Sequence, residues 1–162
     1  MTNRFIGPLL CGGLLSLAAL TPAAAKDVPP AGGVCSPTKM KYLASFQAEQ
    51  RTSQNFGNII EATVTFTQGG TGASCVVVRF SADASSPADN VVVRAYLDNT
   101  TAALPNEAFY SGPDGNSVGA HSFDFIFPSV TPGSHVVHMQ FKSAGGAVVY
   151  VFRHNTIVQH AP

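Results

Sequence analysis

Apolar and polar residues alternate along most of the chain. In the segment 60–67, the apolar residues Ile60, Ala62, Val64 and Phe66 are separated by Glu and Thr. A period of two places every second side chain on the same face, which is typical of a half-buried β-strand. The pattern therefore predicts a strand over 60–67 with its even-numbered side chains in the core.

The same alternation recurs at short intervals, and no long segment has a helical period. It predicts further strands over 75–81, 91–98, 121–127, 136–141, 147–153 and 156–160. The segment 42–48 permits either a strand or a helical turn. About eight short strands separated by turn formers favour an all-β fold, an antiparallel β-sandwich of immunoglobulin-like or jelly-roll type.

Two glycine-rich turns predict which strands pair. Residues 69–72 read Gly-Gly-Thr-Gly and separate the strands 60–67 and 75–81. Residues 143–146 read Ser-Ala-Gly-Gly and separate the strands 136–141 and 147–153. Because glycine permits tight turns, each pair of strands is predicted to form a β-hairpin.

The first 25 residues have the pattern of a secretory signal peptide. Arg4 precedes an apolar run over 9–20, and Ala23-Ala24-Ala25 offers a cleavage site. An alternative is a lipoprotein signal that uses Cys11. We expect cleavage after Ala25, a flexible segment over 26–38, and a β-sandwich domain over 39–162. The mature protein is therefore predicted to be periplasmic or extracellular.

Removal of this leader leaves two cysteines, Cys35 and Cys75. In an oxidising compartment an isolated pair is most simply one disulfide, and two free thiols are the alternative. The disulfide closes a loop of about 40 residues, which stabilises the fold by about 4 kcal/mol in the chain-entropy model.

Charge and hydropathy exclude several classes of partner. Nine Lys and Arg balance nine Asp and Glu, so the net charge is zero. The sequence contains no basic stripe, which argues against nucleic-acid binding. No segment after residue 25 is apolar for long enough to cross a membrane as a helix.

Histidines are the strongest candidates for metal binding. His135 lies on the same strand face as Met139, and His138 and His154 are expected to face each other across the second predicted hairpin. Imidazole and thioether ligands favour copper. However, His135 and Met139 lie about 13 Å apart along a strand, too far to share one ion without help. No catalytic residues and no cofactor are predicted.

Aromatic residues are the candidates for ligand binding. Phe109 and Tyr110 lie in a long irregular connection, while Tyr96 and Tyr150 lie off the apolar faces of their strands. Exposed aromatic rings can stack on sugars or contact a partner protein. The alternative for Phe109 is that it covers the core.

A resemblance lies in the last third of the chain. The segment 125–127 reads Phe-Ile-Phe, and 130–141 reads Val-Thr-Pro-Gly-Ser-His-Val-Val-His-Met-Gln-Phe. Together they resemble the V-x-P-G-x-H-x-V-x-x-Q turn and strand of exported bacterial β-sandwich modules. The resemblance implies an architecture and no activity.

Three functional hypotheses follow from these features. The leading one is an exported, non-enzymatic β-sandwich module with a binding or structural role and an unknown protein or carbohydrate ligand. The second is a small secreted metal-binding protein or enzyme that uses histidines from separate strands. The third is an assembly subunit that pairs through an exposed strand edge.

Overall fold

A computed structural model describes residues 35–111 and 118–162, and these residues form ten β-strands and no helix. The strands are β1 (Lys39–Ser45), β2 (Glu49–Arg51), β3 (Gly57–Gln68), β4 (Ser74–Ser85), β5 (Asn90–Leu97), β6 (Thr101–Ala102), β7 (Ala108–Ser111), β8 (Gly119–Val130), β9 (Gly133–Ser143) and β10 (Val149–His160). Within the described ranges, the structure has no helix that is long and apolar enough to span a membrane. The predicted signal peptide lies outside the described residues, and so do residues 26–34 of the predicted flexible segment.

The strands form two antiparallel sheets of five strands each. Sheet 1 has the order β1-β10-β4-β8, and β2 also pairs with β10. Sheet 2 has the order β3-β9-β5-β6, and β7 also pairs with β5. Two stacked sheets of this kind make a β-sandwich, so the predicted fold class is confirmed.

The core lies between the inner faces of the two sheets. Its largest side chains include Phe66, Phe80, Phe125, Phe127 and Phe141, all of which are fully buried. They occupy alternate positions of their strands, because every second side chain of a strand points to the same face. The predicted inward faces of 76–80, 91–97 and 125–127 are therefore confirmed.

The predicted inward face of the strand 60–67 is wrong at its first position. Ile60 is 58% exposed, and its neighbour Ile59 is 1% exposed. The register of β3 against β9 shifts between Asn58 and Thr63, and Glu61 within that interval has a φ of 54°. A β-bulge of this kind adds a residue to one strand and so reverses which positions face the core.

Both predicted hairpins are wrong, because the chain crosses between the sheets at these turns. β3 lies in sheet 2 and β4 in sheet 1, although Gly69–Gly72 directly connects them. β9 lies in sheet 2 and β10 in sheet 1 in the same way. Alternation specifies which face of a strand is buried but not which strand lies beside it.

Three other segments also become defined in the structure. The ambiguous segment 42–48 contributes to strand β1, and the long connection after β5 contains the short strands β6 and β7. The predicted strands 147–153 and 156–160 are one strand, β10. The predicted disulfide is confirmed: Cys35 is bonded to Cys75, with a Cα–Cα distance of 5.5 Å. It ties residues 35–38, which have no regular secondary structure, to the start of β4.

Candidate functional site

The three histidines proposed as metal ligands lie in different environments. His135 is hydrogen-bonded through Nδ1 to Asp98 (2.7 Å) and through Nε2 to the carbonyl of Thr131 (2.8 Å). His138 is on the outer face of sheet 2, where Nδ1 lies 3.1 Å from the hydroxyl of Thr63. His154 is on the inner face of sheet 1 and only 3% exposed.

The structure does not bring these histidines together, because β9 and β10 belong to different sheets. His138 therefore does not face His154 across a hairpin. Among residues 35–111 and 118–162, no group of three or more His, Cys, Asp or Glu side chains is arranged to hold a metal ion. His138 on the outer face of sheet 2 and His154 on the inner face of sheet 1 cannot share a coordination sphere, since ligand bonds to metals such as zinc are about 2 Å long.

The four candidate aromatic residues divide between the two outer faces and the core. Tyr96 lies on the outer face of sheet 2, and Phe109 on β7 is 61% exposed, so it does not cover the core. Tyr110 is 4% exposed, and its ring meets the edge of His121 with a centroid distance of 3.9 Å. Tyr150 lies on the outer face of sheet 1 and stacks on Phe152 (5.8 Å between centroids, 7° between planes).

A β-bulge in β10 lies beside a concave surface on the outer face of sheet 1. The register of β10 against β4 shifts between Phe152 and His154, and the extra residue, Arg153, has a φ of 24°. This left-handed conformation is unfavourable for a side chain larger than glycine, so the surrounding pairs must hold it in place. The bulge directs the Arg153 side chain to the outer face of sheet 1, where 65% of it is exposed.

We refer to the concavity beside this bulge as the bulge pocket. Its volume is about 380 Å3, and it is lined by Ser81, Ala82, Asp83, Ala120, His121, Ser122, Arg153 and Asn155. These residues come from the three adjacent strands β4, β8 and β10. The registers explain why they meet, because Asn155 pairs with Ser81 and Ser81 pairs with Ser122.

The two charged side chains of the bulge pocket are paired with each other, as are its two serine hydroxyls. The Arg153 guanidinium lies 2.7 Å from the Asp83 carboxylate. The hydroxyl of Ser81 donates a hydrogen bond to that of Ser122 (2.8 Å). A site with compensated charge and several hydroxyl and amide groups is suited to a neutral polar ligand, because such a ligand exchanges hydrogen bonds without adding a buried charge.

An ion pair lies next to the bulge pocket on the outer face of sheet 1. Arg79 binds Asp124 through two parallel hydrogen bonds of 2.7 and 2.9 Å. The hydrogen bond from Arg79 is the main reason that the pKa of Asp124 is below its ordinary value, and the same bond raises the pKa of Arg79. Arg79 and Asp124 bind each other, and their pair forms one border of the bulge pocket.

The sequence predicted only Tyr150 in this region and missed the residues that line the pocket. The apolar pattern gave no signal for the bulge, because apolar residues occupy both odd and even positions on each side of it, and only their burial shows the change. Val149 and Val151 are odd-numbered and buried, whereas Val158 is even-numbered and buried. A change of parity within a continuous strand requires an extra residue between the two halves, which locates the bulge.

No protein-family model matches this chain. No curated protein matches it either.

Three solved structures illustrate the likeness of this chain to known folds. For dimeric latent PorU from Porphyromonas gingivalis, the TM-score is 0.49 at 9% identity over 78% of this chain and 13% of that chain. For the CBM36-1 domain of a multidomain xylanase from the hindgut metagenome of Trinervitermes trinervoides, the TM-score is 0.41 at 12% identity, and the match covers 74% of this chain and 96% of that chain. For a family two carbohydrate esterase from Cellvibrio japonicus, the TM-score is 0.30 at 16% identity, and the match covers 76% of this chain and 36% of that chain. Because all three TM-scores are below 0.5, no property of these proteins is carried over to this chain.

Proposed function

We propose that this chain is an exported β-sandwich module without catalytic activity, and that it binds a neutral saccharide in the bulge pocket. The observation that carries the proposal is the concavity itself. Six polar residues from three strands line a pocket of about 380 Å3, and one of them is the strained bulge residue Arg153. A concave site with a few convergent polar groups is the usual form of a small-ligand site in a protein.

The chemistry of the lining matches vicinal hydroxyl groups. Each sugar hydroxyl can donate and accept a hydrogen bond, so it needs partners of both kinds. Asp83 accepts, Arg153 donates, and the amide of Asn155 does both. Because Asp83 and Arg153 are already paired, their charges are compensated before a ligand arrives. A neutral ligand is therefore favoured over an anion or a cation.

The stacked pair Tyr150 and Phe152 extends the site along β10. Phe152 is opposite Asp83 in the register of β10 and β4, so the pair borders the pocket on the outer face of sheet 1. Both rings are half-buried and belong to the rigid strand. Aromatic rings bury the apolar face of a ligand at little entropic cost, which is why a sugar ring can stack beside a polar pocket.

Binding to a panel of neutral oligosaccharides tests the proposal, with the purified chain on a glycan array and the best ligand then measured by calorimetry. Asn155→Ala and Arg153→Gln are expected to weaken binding by about tenfold each, which corresponds to about 1.4 kcal/mol. Thr65→Ala is the matched control, since Thr65 is an exposed residue on the outer face of sheet 2. If no neutral saccharide binds, or both pocket variants bind as the unchanged protein does, the proposal is wrong.

Export to the periplasm or the extracellular space is the second part of the proposal. It is supported by the signal-peptide pattern of residues 1–25 and by the disulfide, because disulfides persist mainly in oxidising compartments. Expression of the full chain in a bacterial host, followed by fractionation and N-terminal sequencing, checks it. We expect a chain beginning at Lys26 outside the cytoplasm, and an intact Met1 in the cytoplasmic fraction would contradict export.

A further inference from the structure

The outer face of sheet 2 carries a second cluster of aromatic and polar side chains, on the opposite side of the sandwich from the bulge pocket. It consists of Phe56, Arg94, Tyr96, Gln140 and Lys142, which we call the Arg94 platform. The carbon at the centre of the Arg94 guanidinium lies 3.9 Å from the ring centroid of Phe56 and 4.5 Å from that of Tyr96. The cation therefore contacts the faces of two aromatic rings, and both contacts restrict its position.

The Nε atom of Arg94 is hydrogen-bonded to a neutral amide side chain. Its Nε donates a hydrogen bond to Oε1 of Gln140 (2.8 Å), and Nε2 of Gln140 donates to Oδ1 of Asn58 (2.7 Å). Among the described residues, no carboxylate forms an ion pair with Arg94, and its two terminal nitrogens make no hydrogen bond. These nitrogens are the fork that binds a carboxylate bidentately.

The second cation of the platform is already neutralised. The Nζ of Lys142 lies 4.3 Å from the ring centroid of Phe56 and 3.1 Å from Oε1 of Glu107. The platform therefore carries one uncompensated positive charge, that of Arg94. This distinguishes it from the bulge pocket, in which the Arg153 charge is paired with Asp83.

The platform continues into a flat surface three residue rows deep. Phe109 and Lys142 both pair with Val92, Arg94 pairs with Gln140, and Tyr96 pairs with His138. Val92 and Tyr96 are separated by about 13 Å, at about 3.3 Å per residue along a strand. An extended ligand can therefore contact aromatic, basic and amide groups along one line.

We propose that the Arg94 platform binds a carboxylated polysaccharide, a chain of sugars that includes uronic acid residues. Charge complementarity supplies the argument for the carboxylate, and the aromatic rings with the amides of Gln140 and Asn58 supply it for the sugar. The backbone of β5 and β9 is already hydrogen-bonded within the sheet. A peptide on this face could not extend the sheet, so its backbone would bond only to side chains and water, whereas a polysaccharide bonds through hydroxyl groups that the side chains can reach.

Polygalacturonate is the probe, and dextran is its uncharged counterpart. Binding of the purified chain to each is measured by calorimetry at about 20 mM and about 300 mM NaCl, because an exposed charge interaction weakens as the Debye length falls. We expect polygalacturonate to bind more tightly than dextran, and the difference to shrink at high salt. The comparison is made in the Asn155→Ala protein, because dextran is a neutral saccharide, the ligand class proposed for the bulge pocket. Equal binding of the two polymers to this protein at low salt overturns the proposal.

Three variants identify the groups responsible. Arg94→Gln is expected to weaken polygalacturonate binding by about tenfold, and Arg94→Lys by a smaller factor, because lysine keeps the charge but lacks the fork. Lys41→Gln is the matched control, since Lys41 is an exposed cation on β1 that lies outside both the platform and the bulge pocket. An Arg94→Gln protein that binds as the unchanged protein does, or a control that loses as much affinity, overturns the proposal.

A gain of affinity provides a test that misfolding cannot imitate. Glu107→Gln releases the Lys142 ammonium from its carboxylate and is expected to strengthen polygalacturonate binding by about threefold at low salt. An unchanged or weaker affinity for Glu107→Gln counts against the platform as the binding surface. The bulge-pocket variant Asn155→Ala should leave polygalacturonate binding unchanged, so the failure of either site is recognised separately.

Discussion

Asp89 is the residue whose replacement most directly tests how two of the connections that cross between the sheets are held together. Its Oδ2 atom accepts hydrogen bonds from the Ser143 hydroxyl and from the backbone N–H groups of Gly145 (2.7 Å) and Ala147 (3.2 Å). Its Oδ1 atom accepts one from the N–H of Asn90 (2.7 Å). The carboxylate thus connects the turn before β5 to the crossing connection between β9 and β10.

The replacement Asp89→Asn keeps the size of the side chain and removes the charge and one acceptor oxygen. A hydrogen bond to a charged group contributes about 1.5–3 kcal/mol. The bonds share one carboxylate at a half-exposed turn, so they do not add in full, and solvent screens them. We expect a loss of about 2 kcal/mol at pH 7, which lowers the Tm of a domain of this size by about 7 °C.

The loss should depend on pH. Burial acts to raise the pKa of Asp89, but the hydrogen bonds from Ser143, Asn90, Gly145 and Ala147 outweigh it, and the pKa is lowered from 3.8. A carboxyl with a lowered pKa in the folded state stabilises the fold above its unfolded value, and this contribution disappears as the pH falls through the folded value. The difference between the unchanged protein and Asp89→Asn should therefore be full at pH 5–7 and shrink below about pH 4.

Thermal unfolding followed by circular dichroism at pH 7, 5 and 3 measures this prediction. Asp124→Asn serves as the matched control, because Asp124 also accepts hydrogen bonds but belongs to an exposed ion pair with Arg79. Its Tm should change less than that of Asp89→Asn. Equal Tm values for Asp89→Asn and the unchanged protein at pH 7 would refute the reasoning, as would a difference that stays constant down to pH 3.

Three further predictions concern stability. Burial acts to lower the pKa of His135, but its hydrogen bonds to Asp98 and to a backbone carbonyl outweigh burial and raise this pKa. The pKa of Asp98 is lowered. This pair should therefore stabilise the folded protein most between about pH 4 and 6.5, where both groups are charged. The Tm difference between pH 6 and pH 9 should be smaller in Asp98→Asn than in the unchanged protein, and an equal difference in the two proteins contradicts the assignment. His154 has two buried ring nitrogens without a hydrogen-bond partner among the described residues, so His154→Leu should raise the free energy of unfolding in urea by about 1 kcal/mol, whereas a decrease counts against this account. Reduction of the bond between Cys35 and Cys75, which lie 40 residues apart, should lower the free energy of unfolding by about 4 kcal/mol, and an unmoved urea midpoint is inconsistent with that.

Local chemistry made part of the structure predictable. The alternation of Val91, Val93, Ala95 and Leu97 identified an inward face that the structure confirms. The pairing of the two cysteines followed from their number and the expected compartment, without any knowledge of the fold. Both inferences succeed because they depend on the residues of one strand, or on the only two thiols that remain after the predicted cleavage.

The candidate site was harder to predict because it depends on neighbours that are distant along the chain. Ser81, Ser122 and Asn155 lie in three strands and meet only through the register of sheet 1. Likewise Arg94 alternates with buried residues of β5, and nothing in its own segment indicates that Phe56 covers it. Side chains that converge from separate strands leave no local pattern in the sequence.

The sequence by itself determined that this protein is built from strands, which side chains of most strands enter the core, and which cysteines join. Only the tertiary structure decided which strands are neighbours. A period of two defines the face of a strand but is indifferent to the strand beside it, so glycine turns that cross between sheets looked the same as hairpins. The bulges at Glu61 and Arg153 likewise depend on the partner strand, because an extra residue exists only relative to a register.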